Sequence, residues 1–260
     1  MPAVPTDIGR NINAHVGADI GVNVGSNTSW VTEATDRMNR MYRRQRYIYD
    51  GTRRYYLLGR DQMIAGLGPE PSANVLEIGC GTGRNLVLAA QRYPQARFFG
   101  VDVSTEMLTS AISAIARRGL TSQIRVAHGD ATAFDPQLAF GVAAFDHVMI
   151  SYSLSMIPNW TSVLEAAVGR LKPGGHLHIV DFGGLERLPR LARALLLRWL
   201  TLFDVTPRDR LEQAMAAMAA SSRADLTFER PFRGYAQYAR LTLPSLTLPS
   251  LTLPSGSTPS

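Results

Sequence analysis

Three glycines and three acids, set at the ends of apolar runs, are the residues of this chain whose types and spacing could do chemistry. In VLEIGCGTGRN (residues 75–85) the β-forming run Val75-Leu76-Glu77-Ile78 meets Gly79, Gly81 and Gly83 before a helical pattern starts near Asn85. A strand that turns at once into a helix needs glycine where φ goes positive and where bare backbone must approach a ligand. An ordinary glycine-rich βα turn reads the same way, so context decides. Asp102 closes the next apolar stretch, FFGVD, nineteen residues past Gly83, where a carboxylate can accept from both hydroxyls of a ribose. Arg84 stands where a pyrophosphate-binding turn wants a small residue, and Glu77 suits an ammonium group or an ordered water better than a phosphate. Asp130, after IRVAHG, could accept from an adenine amine while the Ala131 amide serves a ring nitrogen; taken singly it is a common turn residue. In series the set describes a cationic nucleoside, with amine, ribose and adenine met in order along one sheet end.

The elements that must position these residues alternate. Strands are expected near 73–78, 96–101, 123–127, 145–150 and 175–181, and helices near 35–66, 84–93, 104–118, 160–171, 186–203 and 208–220. Such alternation argues an α/β fold with a mostly parallel sheet covered on both faces. TFERPF, a turn at Arg233-Gly234 and YAQYARLT then predict an antiparallel hairpin that closes the sheet edge. Residues 1–30 and the thrice-repeated LTLPS from 241, leaving 243–260 as a tail, show no sustained period, so the expected domain is 31–242.

Composition narrows the class. At 260 residues and 45% hydrophobic the chain suits one main domain. Cys80 is the only cysteine, which excludes an intrachain disulfide or a multi-cysteine metal site and points to the cytoplasm; no metal is expected. Within the turn, Cys80 reads as a small side chain rather than a reactive one. The N-terminus has no basic region followed by a long apolar core, and no apolar run reaches the roughly 18 residues of a membrane span. The formal charge is +6, and 26 of the 27 basic residues are arginine, whose planar fork suits carboxylate and phosphate.

VLEIGCGTGRN, GVDVSTEML, HGDA, FDHVMISYSLSMIP and LKPGGHLHIVDFG together resemble the class I S-adenosylmethionine-dependent methyltransferases over about residues 70–183. The resemblance implies a Rossmann-like, seven-stranded sheet with S-adenosylmethionine at the C-terminal strand ends. It implies that Val103 and Met107 flank adenine, that Ser151-Tyr152-Ser153 faces the transferred methyl, and that LKPGG turns into the fifth strand. No Asn-Pro-Pro-Tyr type motif follows the fourth strand, which disfavours methylation of nucleobases; no nucleic-acid partner is expected.

The acceptor must be sought outside this half. In RMNRMYRRQRYIYDGTRRYYLLGRDQMI (37–64) Met41, Ile48 and Tyr55 recur at seven, as do Tyr42, Tyr49 and Tyr56, with arginines between them. The plain reading is a packing helix with a solvated basic face; the sharper one is a lid over the site, its aromatic faces stabilising a cationic centre. In LERLPRLARALLLRWLTLF (185–203) Arg187, Arg190, Arg193 and Arg198 share a sector, with Leu188, Leu191, Leu195, Trp199 and Leu202 over much of the rest. That helix either packs on the sheet or lies on an anionic membrane surface. These segments and FRGYAQYARL resemble the bacterial betaine-lipid N-methyltransferases, over about residues 34–242. The resemblance implies three methylations of diacylglycerylhomoserine, a lipid substrate met peripherally on the membrane's inner face, Tyr49 and Arg60 at the cofactor's methionine end, and Tyr49 or Tyr152 at the reacting amine. Arg60, Tyr55, Tyr152 and Tyr235 would then hold the head group. Other amine lipids such as phosphatidylethanolamine, small amines, a non-catalytic nucleotide-binding membrane module and an NAD-dependent oxidoreductase remain as rival readings.

Overall fold

A computed structural model describes residues 57–202 and 205–245. Seven strands form one sheet in the order β3-β2-β1-β4-β5-β7-β6. They are β1 (Asn74–Ile78), β2 (Arg97–Asp102), β3 (Ile124–His128), β4 (Phe145–Ser151), β5 (Leu171–Phe182), β6 (Asp225–Glu229) and β7 (Ala236–Thr242). The first five run parallel to one another, and β7 is antiparallel to both β5 and β6. This is the expected Rossmann-like methyltransferase architecture with its C-terminal antiparallel hairpin. Reversal of the strand order between β1 and β4 leaves a crevice at the carboxyl ends, where open α/β sheets take their ligands.

Every residue of β1 is buried, as a central parallel strand covered on both faces requires. Its alternation divides the core in two. Val75 joins Leu86, Phe98, Met149, Val180 and Phe182 on one face, while Leu76 and Ile78 join Phe99, Phe145, Ile150, Leu164 and Leu177 on the other. The covering helices are α1 (Arg60–Ala65), α2 (Arg84–Arg92), α3 (Thr105–Ala116), α4 (Pro136–Phe140), α5 (Trp160–Gly169), α6 (Arg190–Thr201) and α7 (Leu211–Ser222).

Several boundaries differ from expectation. The helix expected over 35–66 is described only from Arg60, because Gly59 at φ +86 takes a left-handed turn that starts α1; residues 35–56 lie outside the described residues. Helix α6 starts at Arg190 rather than 186, behind Pro189, whose backbone is extended. Strand β5 starts at Leu171, so LKPGG lies inside it rather than before it. Phe145 pairs Leu171 and His147 pairs His176, so extra residues of β5 bulge out where Pro173 cannot donate and Gly174 sits at φ +76. Helix α4 has no counterpart among the expected elements. It is one short turn, begun by Asp135, which accepts from the Gln137 and Leu138 amides, and by Pro136.

Candidate cofactor site

At the carboxyl ends of β1, β2, β3 and β4 an open cavity is lined by Gly79, Gly81, Val101, Asp102, Val103, Gly129, Asp130, Ala131, Tyr152, Ser153, Met156, Ile157 and Val163. Its floor is the glycine turn. The Gly79 and Cys80 amides both donate to the Val101 carbonyl, at 2.8 and 3.1 Å, tying the turn to the end of β2. Gly79, Gly81 and Gly83 all have positive φ, and a Cβ on Gly79 would stand 2.6 Å from the Ser153 Cβ. Glycine is therefore required there on two counts. Cys80 is buried with its sulfur against Gly100, where an added Cβ would come within 2.8 Å of it. Burial, and after it the charge of Asp102, pushes its thiol pKa up, so it fills space as a small neutral side chain.

Asp102 stands at the rim. One carboxylate oxygen accepts from the Gly81 amide at 2.7 Å and the other from the Ser104 amide at 2.9 Å, so the acid fixes the turn that it faces. Each oxygen has two lone pairs, and a ribose hydroxyl can share it with the backbone. Asp130 uses one oxygen to accept from the Thr132 amide at 2.7 Å and from the Thr132 hydroxyl, which makes it the turn residue its type suggests while it also lines the cavity. Glu77 is fully buried and does not reach the cavity wall. Its carboxylate accepts from Asn85 Nδ2 at 2.7 Å, an interaction that braces the strand against the start of α2.

Tyr152, the first residue after β4, has φ +55, and its hydroxyl donates to the Leu58 carbonyl at 2.5 Å. Burial, followed by the charge of Asp181, holds its pKa far above the usual phenol value. Its ring meets Phe182 edge-on at 4.7 Å, and Phe182 meets Tyr235 at 5.9 Å, so three aromatics run from the cavity wall towards the hairpin. Arg60 is buried and close enough to Tyr152 for its charge to act on the phenol.

Of the residues singled out in the sequence, Gly79, Gly81, Asp102, Val103, Asp130, Ala131 and Tyr152 meet at one cavity. Glu77, Gly83, Met107 and Ser151 stand behind it as supports, Met107 through its amide on the N-terminal cap Ser104 of α3. Tyr49 and Tyr55 lie outside the described residues. Met156 and Ile157 had no expectation attached. Met156 ends a 3₁₀ turn (Leu154–Met156) and Ile157 follows it, and the segment is held from behind: buried Asp181 accepts from the Ser155 amide at 3.1 Å, and Arg208 donates to the carbonyls of Leu154 and Ile157 at 3.0 and 2.8 Å.

The lining tests which ligand fits. Two carboxylates and no arginine or lysine line the cavity among the described residues. The turn carries Arg84 where a pyrophosphate-binding turn keeps a small residue, whereas a sulfonium-bearing nucleoside would meet acids, glycine backbone and a wall of Met156, Ile157 and Val163.

Residues 75–175 match the family model described as "Methyltransferase domain". The matched stretch takes in the glycine turn, Asp102 and Asp130, and it supports a class I S-adenosylmethionine-dependent methyltransferase. The chain is 32% identical over 117 residues to a trans-aconitate 2-methyltransferase of Azoarcus sp. (strain BH72), covering 45% of this chain and 42% of that protein. It is 29% identical over 123 residues to a demethylmenaquinone methyltransferase of Geobacillus stearothermophilus, covering 47% and 50%. The chain thus spans about half the length of these relatives, whose names differ in acceptor. Among solved structures, the apo form of the S-adenosylmethionine-dependent methyltransferase SibL superposes with a TM-score of 0.61 at 20% identity, over 76% of this chain and 58% of that one. Phosphoethanolamine N-methyltransferase 2 of Haemonchus contortus, in complex with S-adenosyl-L-methionine, gives 0.57 at 17% identity, over 72% and 52%. At such identities the likeness is one of fold.

Proposed function

We propose that the chain is an S-adenosylmethionine-dependent N-methyltransferase whose acceptor is the amine of diacylglycerylhomoserine, methylated three times to the betaine lipid. The observation that carries the transfer reading is the acid-lined cavity over the glycine turn, whose lining includes Asp102, the residue we assign to the ribose, and Asp130 and Ala131, which we assign to the adenine. Held by the glycine turn, Asp102 and Asp130, S-adenosylmethionine would supply an electrophilic methyl that an amine lone pair could take in line, the C–S bonding pair staying with the departing thioether sulfur. This chain's residues orient and exclude. Tyr152 and Met156 wall the reacting side, and the phenol, its proton donated to Leu58 and its pKa raised, serves as a wall rather than as a base. Each ammonium formed releases its proton to water before the next transfer.

The lipid acceptor is supported by the likeness of the outer segments to the betaine-lipid enzymes and by the position of Arg60 beside Tyr152. A primary amine donates hydrogen bonds and a trimethylammonium does not, so the head group must be held through its carboxylate, which three methylations leave unchanged. Arginine is the side chain for that. Aromatic faces of Tyr152 and, outside the described residues, Tyr49 and Tyr55 would stabilise the growing cation by roughly 0.5–2 kcal/mol.

Lipid extracts of a host that makes diacylglycerylhomoserine, with and without this chain, test the acceptor. Mono-, di- and trimethylated homoserine lipid should accumulate, and Arg60→Ala should abolish them. Methylated phosphatidylethanolamine in their place would overturn the acceptor and leave the transferase.

A further inference from the structure

Three leucines at helix α6 face outward. Only Leu200 is fully buried, packed with Tyr152, Val180 and Phe182, while Leu191 is 74% exposed, Leu195 61% and Leu202 70%. At 100° per residue these three fall within about 40° of one another, opposite Leu200. Arg198 shares their sector, and exposed Arg187 and Arg190 stand at the helix's N-terminal end. A second exposed apolar residue of the neighbourhood is held by a strained backbone. Phe232 (φ +55) and Arg233 (φ +58) are consecutive left-handed non-glycine residues, each disfavoured by about 1 kcal/mol or more, and Phe232 is 46% exposed. Their turn abuts the entry to α6, with the Arg187 amide donating to the Arg233 carbonyl at 3.3 Å and the Leu185 amide to the Gly234 carbonyl at 3.0 Å.

The helix that carries this face is tied to segments near the cofactor site. Arg193 Nε, in the first turn of α6, donates at 2.8 Å to the Gly184 carbonyl just beyond the end of β5. After the helix, the Thr206 amide donates to the Ser155 carbonyl at 3.0 Å, on the turn that carries Met156.

We infer that the outward face of α6 with the Phe232–Arg233 turn docks on an anionic lipid bilayer, its leucines and phenylalanine entering the acyl region and its arginines meeting lipid phosphates. Apolar teeth among cations are the pattern of an interfacial helix, and among the described residues no helix is long and apolar enough to cross a membrane. Charge selects this occupant over the others. A second copy would bring the same arginines face to face. The chain's own segment 37–54 carries seven arginines and would be repelled in the same way. Anionic phosphate is the complement of all of them. The inference deepens the lipid-acceptor reading but does not require the acceptor to be a homoserine lipid, and it takes up the second of the two sequence expectations for this helix, that it lies on an anionic membrane surface.

The test is flotation of the full chain with phosphatidylcholine vesicles, with and without phosphatidylglycerol. It is paired with Leu195→Cys carrying an environment-sensitive fluorophore; native Cys80 is buried, so the label stays at that site. Binding should need phosphatidylglycerol and shift the fluorophore to the blue. Leu191→Ser with Leu195→Ser should weaken binding about tenfold or more, and Arg190→Gln with Arg198→Gln roughly fivefold per charge. S-adenosylmethionine affinity by calorimetry should stay unchanged in both variants, which separates failure here from failure of the transfer reading. Binding without a fluorophore shift, equal binding to neutral vesicles, an indifferent leucine pair, or a fluorophore already blue without lipid because a second copy or residues 37–54 cover it would each overturn the inference.

Discussion

Asp102 shows how much one side chain does at this site. It accepts from the Gly81 and Ser104 amides while facing the cavity, so Asp102→Ala should weaken S-adenosylmethionine binding by about 1–3 kcal/mol, through the ribose and the loosened turn together. Asn should not rescue it, because an amide nitrogen would then face a backbone N–H. Isothermal calorimetry decides, and an unchanged affinity would remove Asp102 from the ribose role. The glycines and Asp102 were legible in the sequence because their roles follow from local backbone shape at strand ends. The bond between Asn85 and Glu77 was not legible although both lie in one short stretch, because it depends on how the turn folds α2 back against β1; the grip of Asp181 and Arg208 on residues 154–157 was not legible because those partners come from separate segments and meet only in the folded sheet.

At the scale of elements, the 3₁₀ turn after β4 depends on that grip. Asp181→Asn leaves an amide facing either the Ser155 or the Phe182 N–H, and it should destabilise the chain by roughly 1–3 kcal/mol and raise the cofactor Kd, as urea denaturation and calorimetry would show. The other end of β4 and β5 holds a different cluster. The His147 ring stacks on His176 at 5.0 Å and on His178 at 5.6 Å, with Tyr238 3.4 Å from His178 Nδ1 and Thr242 3.0 Å from His176 Nδ1. Burial, then the charge of His176, lowers the His147 pKa to about 4; burial, then the charge of His147, lowers that of His178 to about 3. Asp146 pulls the other way on His147, and Arg240 adds to the fall at His176 and His178. Both rings are neutral in the native chain near neutral pH, whereas in the unfolded chain they titrate near 6.5 and bind protons first. Stability is therefore full above about pH 6.5 and should fall by a few kcal/mol as pH drops towards 4. Urea midpoints across that range test this, and His178→Gln should flatten the slope. Periodicity revealed the five parallel strands and most covering helices, but not α4, which is too short to show a period, nor the early start of β5, where Pro173 and Gly174 look like a loop.

For the molecule as a whole, a ligand that binds only the folded chain must raise its melting temperature. S-adenosylhomocysteine at about a hundredfold its Kd should add roughly 2.7 kcal/mol and move Tm up by about 5–10 °C, while NAD should leave it unchanged, because Arg84 stands where a pyrophosphate-binding turn keeps a small residue. A scan with each ligand separates the transferase from the oxidoreductase. The sheet's class was legible from alternation, but its order was not, because the placement of β7 between β5 and β6 is decided by contacts far apart in sequence. That placement governs how the chain is made. Synthesis proceeds from the N-terminus, so β5 leaves the ribosome with its far edge unpaired, and β6 follows with nothing to join, since its only neighbour in the sheet is β7. Until residues 236–242 emerge, the nascent chain carries an open apolar strand edge, the kind of template on which neighbouring polypeptides pair. A message truncated ahead of Ala236 should therefore yield aggregates rather than a slightly weakened enzyme, and chaperone dependence during translation should end when β7 slots into place.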